Sequence, residues 1–196
     1  SGYSSVPSSL ADKSGNGYNL ANSSTGGGSP TLTTNAQNGL NVLTFDSTST
    51  SVNVYYEGNI VGQNINQTWS ILFKPVAGHD HQAAGAISYG TNQNGDWNIR
   101  AGHGSQFQGQ FTKDNVTYPL WGSTNLVDNW ILATISFDVS GQSVSTWVNG
   151  EVKQNQVSNS NGINSGSSVP LRIMKREISR CVDGHFAELV SFKSTD

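Results

Sequence analysis

The sequence predicts an all-β protein, a sandwich of two antiparallel sheets, and three observations carry this prediction. Short segments with alternating apolar and polar residues recur along the chain, with turn-forming residues between them. Gly occurs 22 times and charged residues make up only 12% of the 196 residues, which suits short strands joined by turns. No segment combines a sustained apolar repeat at helical spacing with helix caps, and residues 174–180 offer at most one helical turn.

The first half of the chain supplies one predicted strand, Trp69–Pro75, and one predicted loop. Residues 22–30 contain three successive Gly with small polar neighbours, so they have nothing to bury and are predicted to form a surface loop.

The clearest element is a meander that begins at Trp130. Alternation in Trp130–Phe137 predicts a half-buried strand, and its apolar face comprises Ile131, Ala133, Ile135 and Phe137. Residues 138–142 have turn chemistry and lead to a partner strand, in which Val144, Thr146 and Val148 share one face. Asn149-Gly150 then predicts a type I′ hairpin turn.

Two further segments complete the pattern, Leu171–Ile173 and the closing strand Asp183–Phe192. The Trp-led strand, the hairpin into Trp147-Val148-Asn149-Gly150 and this closing strand resemble the laminin G-like branch of the concanavalin A-like lectin and glucanase superfamily. The resemblance covers nearly the whole chain. It implies a jelly-roll β-sandwich spanning residues 1–196 as one domain, with one gently concave sheet and loops gathered at its rim.

Composition and charge argue against several functions. The formal net charge is −3, whereas nucleic-acid binding requires clustered Lys and Arg, so no nucleic-acid partner is expected. No apolar run approaches the roughly 20 residues that span a bilayer, so no membrane insertion is expected. The single Cys181 excludes an intrachain disulfide.

The start of the chain suggests its origin. It begins at Ser1 and its only Met is Met174, so we expect a piece of a larger exposed protein. A phage or viral fibre or a bacterial surface protein fits, with an extracellular, cell-surface or virion location.

A glycan-binding site is predicted in residues 96–121, where aromatic, amide, Arg and His residues are mixed. Sugar rings have an apolar face and a rim of hydroxyls, so lectin sites pair an aromatic platform with hydrogen-bonding side chains. Alternation places Trp97 on one face of its strand and Asn98 and Arg100 on the other; a core position for Trp97 is the alternative. The predicted ligand-binding residues are Trp97, Asn98, Arg100, His103, Tyr118 and Trp121.

Catalysis receives less support. Retaining glycosidases need two carboxyl groups about 5 Å apart, and no Glu in the chain has an acid at two-residue spacing on a strand. His103 and Tyr118, with Arg100, could imitate a lyase site, because Tyr and His can share proton transfer beside a neutralising Arg. A non-enzymatic protein is predicted, with a polysaccharide lyase or glycoside hydrolase as an alternative.

Metal and anion sites have weaker signals. No cofactor is certain, but the resemblance implies calcium, for which Asp12, Asp46 and Asp183 are candidates. His79-Asp80-His81 is interpreted as a structural loop, since a third metal ligand is not identifiable.

Four basic residues cluster in and just after the Leu171–Ile173 segment. They could bind an anionic glycan or a neighbouring subunit, or form a solvated rim loop. They are Arg172, Lys175, Arg176 and Arg180.

The sequence therefore predicts a carbohydrate-binding or adhesion module whose partner is a glycan or a glycosylated surface. The main alternative is an assembly domain that binds other copies of itself or fibre subunits. The predicted core aromatic residues are Trp69, Phe73, Trp130, Phe137 and Phe192.

Overall fold

Strands and turns make up the described part of the chain, which contains no helix. The computed structural model describes residues 2–47, 52–61, 65–76, 85–90, 96–101, 107–113, 116–122, 128–158, 168–175 and 181–194. Within these residues no helix has the length and hydropathy needed to cross a membrane.

Fifteen strands lie in these ranges. The first seven are β1 Ser9–Leu10, β2 Leu20–Asn22, β3 Thr31–Gln37, β4 Leu40–Phe45, β5 Tyr56–Val61, β6 Asn66–Pro75 and β7 Gly85–Tyr89. The others are β8 Trp97–Ala101, β9 Phe107–Lys113, β10 Val116–Gly122, β11 Ile131–Asp138, β12 Ser143–Val148, β13 Glu151–Ser158, β14 Ser168–Ile173 and β15 Gly184–Ser194.

The strands form two sheets with antiparallel pairing throughout the described ladders. The eight-stranded sheet has the order β1-β2-β5-β14-β7-β8-β9-β10, and the seven-stranded sheet has the order β13-β12-β11-β6-β15-β4-β3. The predicted all-β sandwich of two antiparallel sheets is confirmed. One domain over residues 1–196 stays a prediction.

The two inner faces meet in one cluster of buried apolar side chains. Trp97 of the eight-stranded sheet stacks on Tyr89, with ring centroids 5.8 Å apart and planes at 6°. Across the interface it contacts Trp69 at 5.5 Å and Phe137 at 5.8 Å. Each fully buried large apolar side chain contributes roughly 1.5–3 kcal/mol, so this aromatic contact holds the sheets together.

The predicted meander is confirmed in its faces and its turns. The inward residues of β11 and β12 are buried, and the pattern alternates along both strands. Asp138 Oδ1 accepts hydrogen bonds of 2.8 Å from Ser140 Oγ and Gly141 N. Asn149 and Gly150 have φ values of 51° and 81°, the left-handed pair of a type I′ turn.

Phe192 corrects one core prediction, because its side chain is 63% exposed. In an unbroken strand Phe186 and Phe192 share a face, since they are six residues apart. The register of β15 against β6 shifts between Phe186 and Glu188, so a bulge at Ala187 places Phe186 inward and Phe192 outward. Trp130 is only half-buried and lies 6.3 Å from the His185 ring, whereas Trp69, Phe73 and Phe137 are buried as predicted.

Candidate functional site

Two strands of the eight-stranded sheet, β8 and β10, carry most of the predicted ligand-binding residues, and β9 lies between them. Backbone pairing joins Trp97 to Phe111 and Phe111 to Tyr118, and it joins Arg100 to Gln108. Trp121 pairs with Gly109, and His103 lies outside the described residues. The fold therefore brings the strands together, and a ligand contact by Arg100, Tyr118, Trp121 or His103 stays a prediction.

Trp97 is not a sugar platform in this fold. It is 1% exposed, and rings on both sheets cover it. A stacked sugar needs an open ring face, so the core alternative is correct for this residue. Asn98 points to the opposite side of β8 but is also buried, at 4% exposed.

Asn98 belongs to a polar row on the outer face of the eight-stranded sheet. Register pairing links Glu57 to Arg172, Arg172 to Ser88 and Ser88 to Asn98. Ser88 Oγ donates a 2.8 Å hydrogen bond to the carbonyl oxygen of Lys175, so the chain leaving β14 lies against this face. The centre of the row is therefore closed to solvent.

The basic cluster is partly engaged within the protein. Arg172 Nε donates to a Glu57 carboxylate oxygen, and its Nη1 donates to the Gly90 carbonyl oxygen at 3.1 Å. Lys175 is 8% exposed, and its Nζ lies 3.5 Å from the centroid of the Tyr55 ring. These two cations do not form an open anion site, while residues 176 and 180 lie outside the described residues.

Two of the three aspartates proposed as calcium ligands, Asp12 and Asp183, accept hydrogen bonds from the backbone. Asp12 accepts hydrogen bonds from Ser14 N at 2.8 Å and Tyr18 N at 3.1 Å, and Asp183 Oδ1 accepts one from Ser47 N at 2.6 Å. Hydrogen bonds within its loop, chiefly those from Ser14, lower the pKa of Asp12. No group of three His, Cys, Asp or Glu that could hold a metal occurs among the described residues. Calcium binding by Asp12, Asp46 and Asp183 stays a prediction, and residues 79–81 lie outside the described ranges.

An open cleft lies at one edge of the sandwich, between the N-terminal segment 2–18 and β15. We term it the edge cleft. Its volume is about 870 Å³, within the range of small-molecule sites. Its polar and aromatic lining includes Tyr3, Asp12, Lys13, Asn16, Tyr18, Gln37, Asn41, Trp69, Glu188, Ser191 and Lys193. Its apolar floor includes Leu20, Ile60, Leu171, Ile173 and Phe186, where the inner faces of both sheets reach the edge.

Hydrogen bonds hold the N-terminal wall of the edge cleft. Tyr56 Oη donates to the Pro7 carbonyl oxygen at 2.5 Å. Asn41 Nδ2 donates to the Tyr3 carbonyl oxygen at 2.7 Å, and Tyr3 N donates back to the Asn41 carbonyl oxygen at 3.3 Å. The wall is therefore anchored to one strand of each sheet, β5 and β4.

The loop that closes the other end of this wall is shaped by Asp12. Its two carboxylate oxygens accept backbone N–H groups from Ser14 and Tyr18, which fixes the approach of Tyr18 to the cleft. Lys193 Nζ lies 5.6 Å from the centroid of the Tyr18 ring, within cation–π range. The turn and the aromatic residue are thus positioned together with β15.

The edge cleft offers aromatic faces, hydroxyl donors and amides around an apolar floor. Tyr3 and Tyr18 are half-buried, so each ring retains an accessible part. Burial raises the pKa of Tyr3 well above its usual value, and the nearby Tyr56 and Glu188 raise it further. The Tyr3 hydroxyl therefore remains a protonated donor at neutral pH. Among the charged lining residues, Asp12 and Glu188 balance Lys13 and Lys193, so the cleft favours an uncharged, hydroxyl-bearing ligand.

Sequence reasoning missed this cleft. Its walls come from residues 3–18 and residue 193, which no local motif connects, and no strand periodicity marks residues 2–8. The one available signal was the aromatic residues Tyr3 and Tyr18 within an otherwise small and polar segment.

Comparison with solved structures supports the fold independently. Domain 4 of AbnA, a GH43 extracellular arabinanase from Geobacillus stearothermophilus in complex with arabinotriose, is similar over 94% of this chain and 86% of its own, with a TM-score of 0.64 and 16% identity. The Ruminococcus gnavus IT-sialidase CBM40 bound to α2,3 sialyllactose is similar over 66% of this chain and 76% of its own, with a TM-score of 0.53 and 12% identity.

A third similar structure is the binding domain of botulinum neurotoxin DC in complex with SialylT. It matches 98% of this chain with a TM-score of 0.63 and 15% identity, and this chain spans about half of it, 49%. At these identities the likeness is one of fold. Neither a protein-family model nor a curated protein sequence matches this chain.

Proposed function

We propose that this protein is a non-catalytic carbohydrate-binding module that holds a glycan in the edge cleft. The observation that carries the proposal is the convergence of Tyr3, Tyr18, Asn41 and Lys193 on one open cleft of about 870 Å³. Aromatic faces and neutral hydrogen-bonding groups around an apolar floor match the two-sided chemistry of a sugar ring. Three structures of similar fold contain a bound sugar, which supports the same assignment.

The proposal also includes the parent protein and the location of the module. The module belongs to a larger exposed protein of the laminin G-like type, located outside the cell or on a virion, and its partner is a glycan or a glycosylated surface. A binding role suits the cleft better than hydrolysis, because a glycosidase needs a general acid of raised pKa, whereas hydrogen bonds from its own loop lower the pKa of Asp12. A lyase built on Arg100, His103 and Tyr118 stays a hypothesis.

A soluble-glycan array followed by calorimetry tests the proposal. Tyr18→Ala removes a cleft ring and should lower the affinity for the selected glycan at least tenfold. Val6→Ala is the matched control, because Val6 lies on the same segment but does not line the cleft. Repeating the measurement with a chelator tests the calcium prediction.

Two outcomes would contradict the proposal that the glycan binds in the edge cleft. Loss of binding in Trp121→Ala or Arg100→Ala, with Tyr18→Ala unchanged, would move the site to β8–β10. Absence of binding to every glycan tested would remove the proposed function and favour the assembly alternative, which sedimentation velocity would detect as self-association.

A further inference from the structure

The outer face of the seven-stranded sheet carries a compact set of hydroxyl groups. Backbone register places Ser70 opposite Thr134, and Thr68 opposite Ser136, on the central strands β6 and β11. Ser70 Oγ and Thr134 Oγ1 are 2.9 Å apart, and Thr68 Oγ1 and Ser136 Oγ are 2.8 Å apart. We term these four residues the hydroxyl quartet.

Each pair in the quartet retains hydrogen-bonding capacity. A hydroxyl has one donor and two acceptor positions, so a hydroxyl–hydroxyl bond uses only half of the donors in the pair. All four side chains are half-buried. The quartet can therefore both donate to and accept from a ligand that lies on the sheet.

Two aromatic residues flank the quartet on the neighbouring strands. Trp147 of β12 pairs with Thr134, and Phe192 of β15 pairs with Thr68, so the rings lie on opposite sides of the quartet. Three strand spacings separate β12 from β15, which places the two residues roughly 15 Å apart. Phe192 is 63% exposed and Trp147 is half-buried, so neither ring is enclosed by the core.

The charge pattern of this surface selects an uncharged partner. The two register rows that contain the quartet continue into Val190, Phe192, Ser145 and Trp147, which are all uncharged. Two carboxylates border these rows on the same face: Glu188 lies opposite Leu72, and Asp138 lies opposite Ser143. The Asp138 carboxylate accepts hydrogen bonds from Ser140 and Gly141 of its own turn. An anionic or cationic chain would find no counter-charge along these rows.

The size of the surface argues against a second protein chain. With the exposed Val152 beside Trp147, it covers about 20 Å across five strands and about 15 Å along them, roughly 300 Å². Stable protein interfaces bury about 800 Å² per partner. A narrow, extended ligand fits the dimensions better than another copy of this protein.

We propose that this surface binds an extended, uncharged polysaccharide chain that lies across the strands from Trp147 to Phe192. The two rings stack on apolar sugar faces, and the hydroxyl quartet exchanges hydrogen bonds with the sugar hydroxyls between them. The proposal shares its ligand class with the proposed function, and Val190 lines both sites. The two stacking rings, Trp147 and Phe192, lie outside the edge cleft, on the side of β15 opposite Lys193. A module with both sites would hold a soluble glycan in the edge cleft and adhere to a polymer through the sheet.

Binding isotherms on insoluble microcrystalline cellulose, chitin and mannan test this proposal. Phe192→Ala should weaken retention of the protein on the bound polymer at least tenfold, and Trp147→Ala should do the same. Loss of the half-buried Trp147 ring also lowers stability, so Phe192→Ala, which removes an exposed ring, carries the test. Leu132→Ala is the matched control, since Leu132 is 43% exposed on the same face but has no ring.

The outcomes separate this surface from the edge cleft. Tyr18→Ala should leave polymer retention unchanged, and Phe192→Ala should leave soluble-glycan affinity unchanged. Equal retention of the wild type, Phe192→Ala and Trp147→Ala would overturn the proposal, as would failure of the wild type to bind any of the three polymers. Self-association that Phe192→Ala abolishes would also overturn it, because the occupant would then be a second copy.

Discussion

The hydroxyl of Tyr56 donates a 2.5 Å hydrogen bond to the carbonyl oxygen of Pro7. The Tyr56 side chain is fully buried in the core, whereas Pro7 belongs to the segment that forms one wall of the edge cleft. Burial raises the pKa of Tyr56 to about 12, so the donor stays protonated over the working pH range. One hydrogen bond therefore couples the position of the wall to the packing of the eight-stranded sheet.

Tyr56→Phe should loosen this wall. We expect a loss of about 1 kcal/mol in the free energy of unfolding and faster amide hydrogen exchange at residues 3–12. Tyr18→Phe is the control, because no hydrogen bond of the Tyr18 hydroxyl occurs in the described structure. Equal exchange in the two variants would show that the Tyr56 contact does not hold the segment.

The Trp97→Ala variant should unfold at a lower urea concentration than the wild type. The reason is lost core packing and not a lost ligand contact. Trp97 is 1% exposed and lies between the sheets, and removal of such a side chain costs about 3–5 kcal/mol. Phe192→Ala removes an exposed ring and should change stability by about 0.5 kcal/mol or less. A small loss in Trp97→Ala would argue that its ring is accessible after all.

A pair of glycine substitutions should separate backbone strain from steric conflict. Gly15 and Gly90 have similar φ values of 86° and 90°. A Cβ at Gly15 meets nothing within 4 Å, whereas one at Gly90 would overlap the buried Asp96 carboxyl group. Gly15→Ala should cost about 1 kcal/mol, and Gly90→Ala should cost a further 1–3 kcal/mol or so. Thermal unfolding of both variants measures the difference, and equal losses would contradict the close approach of Asp96.

His185 should make stability fall in mildly acidic solution. Burial lowers the pKa of His185, and Lys74 lowers it further, while Asp128 acts in the opposite direction. The folded state thus binds a proton less readily than the unfolded state, whose His pKa is about 6.5. The contribution of His185 is complete above about pH 6.5 and is lost as the pH falls toward the lower folded pKa.

Thermal melting from pH 7.5 to 5.5 checks this sign. The melting temperature of the wild type should decrease over this range more than that of the His185→Asn variant, because Asn does not titrate. In the wild type the Thr44 hydroxyl lies 2.9 Å from His185 Nδ1, and the Asn side chain retains a hydrogen-bonding partner for it. Parallel curves for the two proteins would exclude His185 as the cause.

Local sequence patterns predicted those features of the strands that residues close together in the sequence determine. The faces of β11 and β12 follow from two-residue alternation, and the Asn149-Gly150 turn follows from the left-handed backbone that these residues accept. The same reasoning failed at Phe192, because a one-residue bulge at Ala187 reverses the alternation and leaves no reliable mark in the sequence.

The binding-site prediction shows the same limit. Residues 96–121 contain the right chemical mixture for a glycan, but Trp97 packs into the core and Asn98 is also buried. The chain after β14 contacts Ser88, the register neighbour of Asn98. Sequence alternation indicates that Trp97 and Asn98 face opposite ways, yet it does not state which face another segment will cover. That depends on packing between distant parts of the chain.

By itself the sequence determined an all-β sandwich, the orientation of its best-marked hairpin and the exclusion of an intrachain disulfide. These properties depend on composition and on side-chain alternation within a few residues. Only the tertiary structure decided which polar residues remain accessible and where Tyr3, Tyr18 and Lys193 meet, because antiparallel pairing and sheet packing join residues that are nearly two hundred positions apart. The hydroxyl quartet arises for the same reason, since register alone places Thr68 and Ser70 beside their partners on β11.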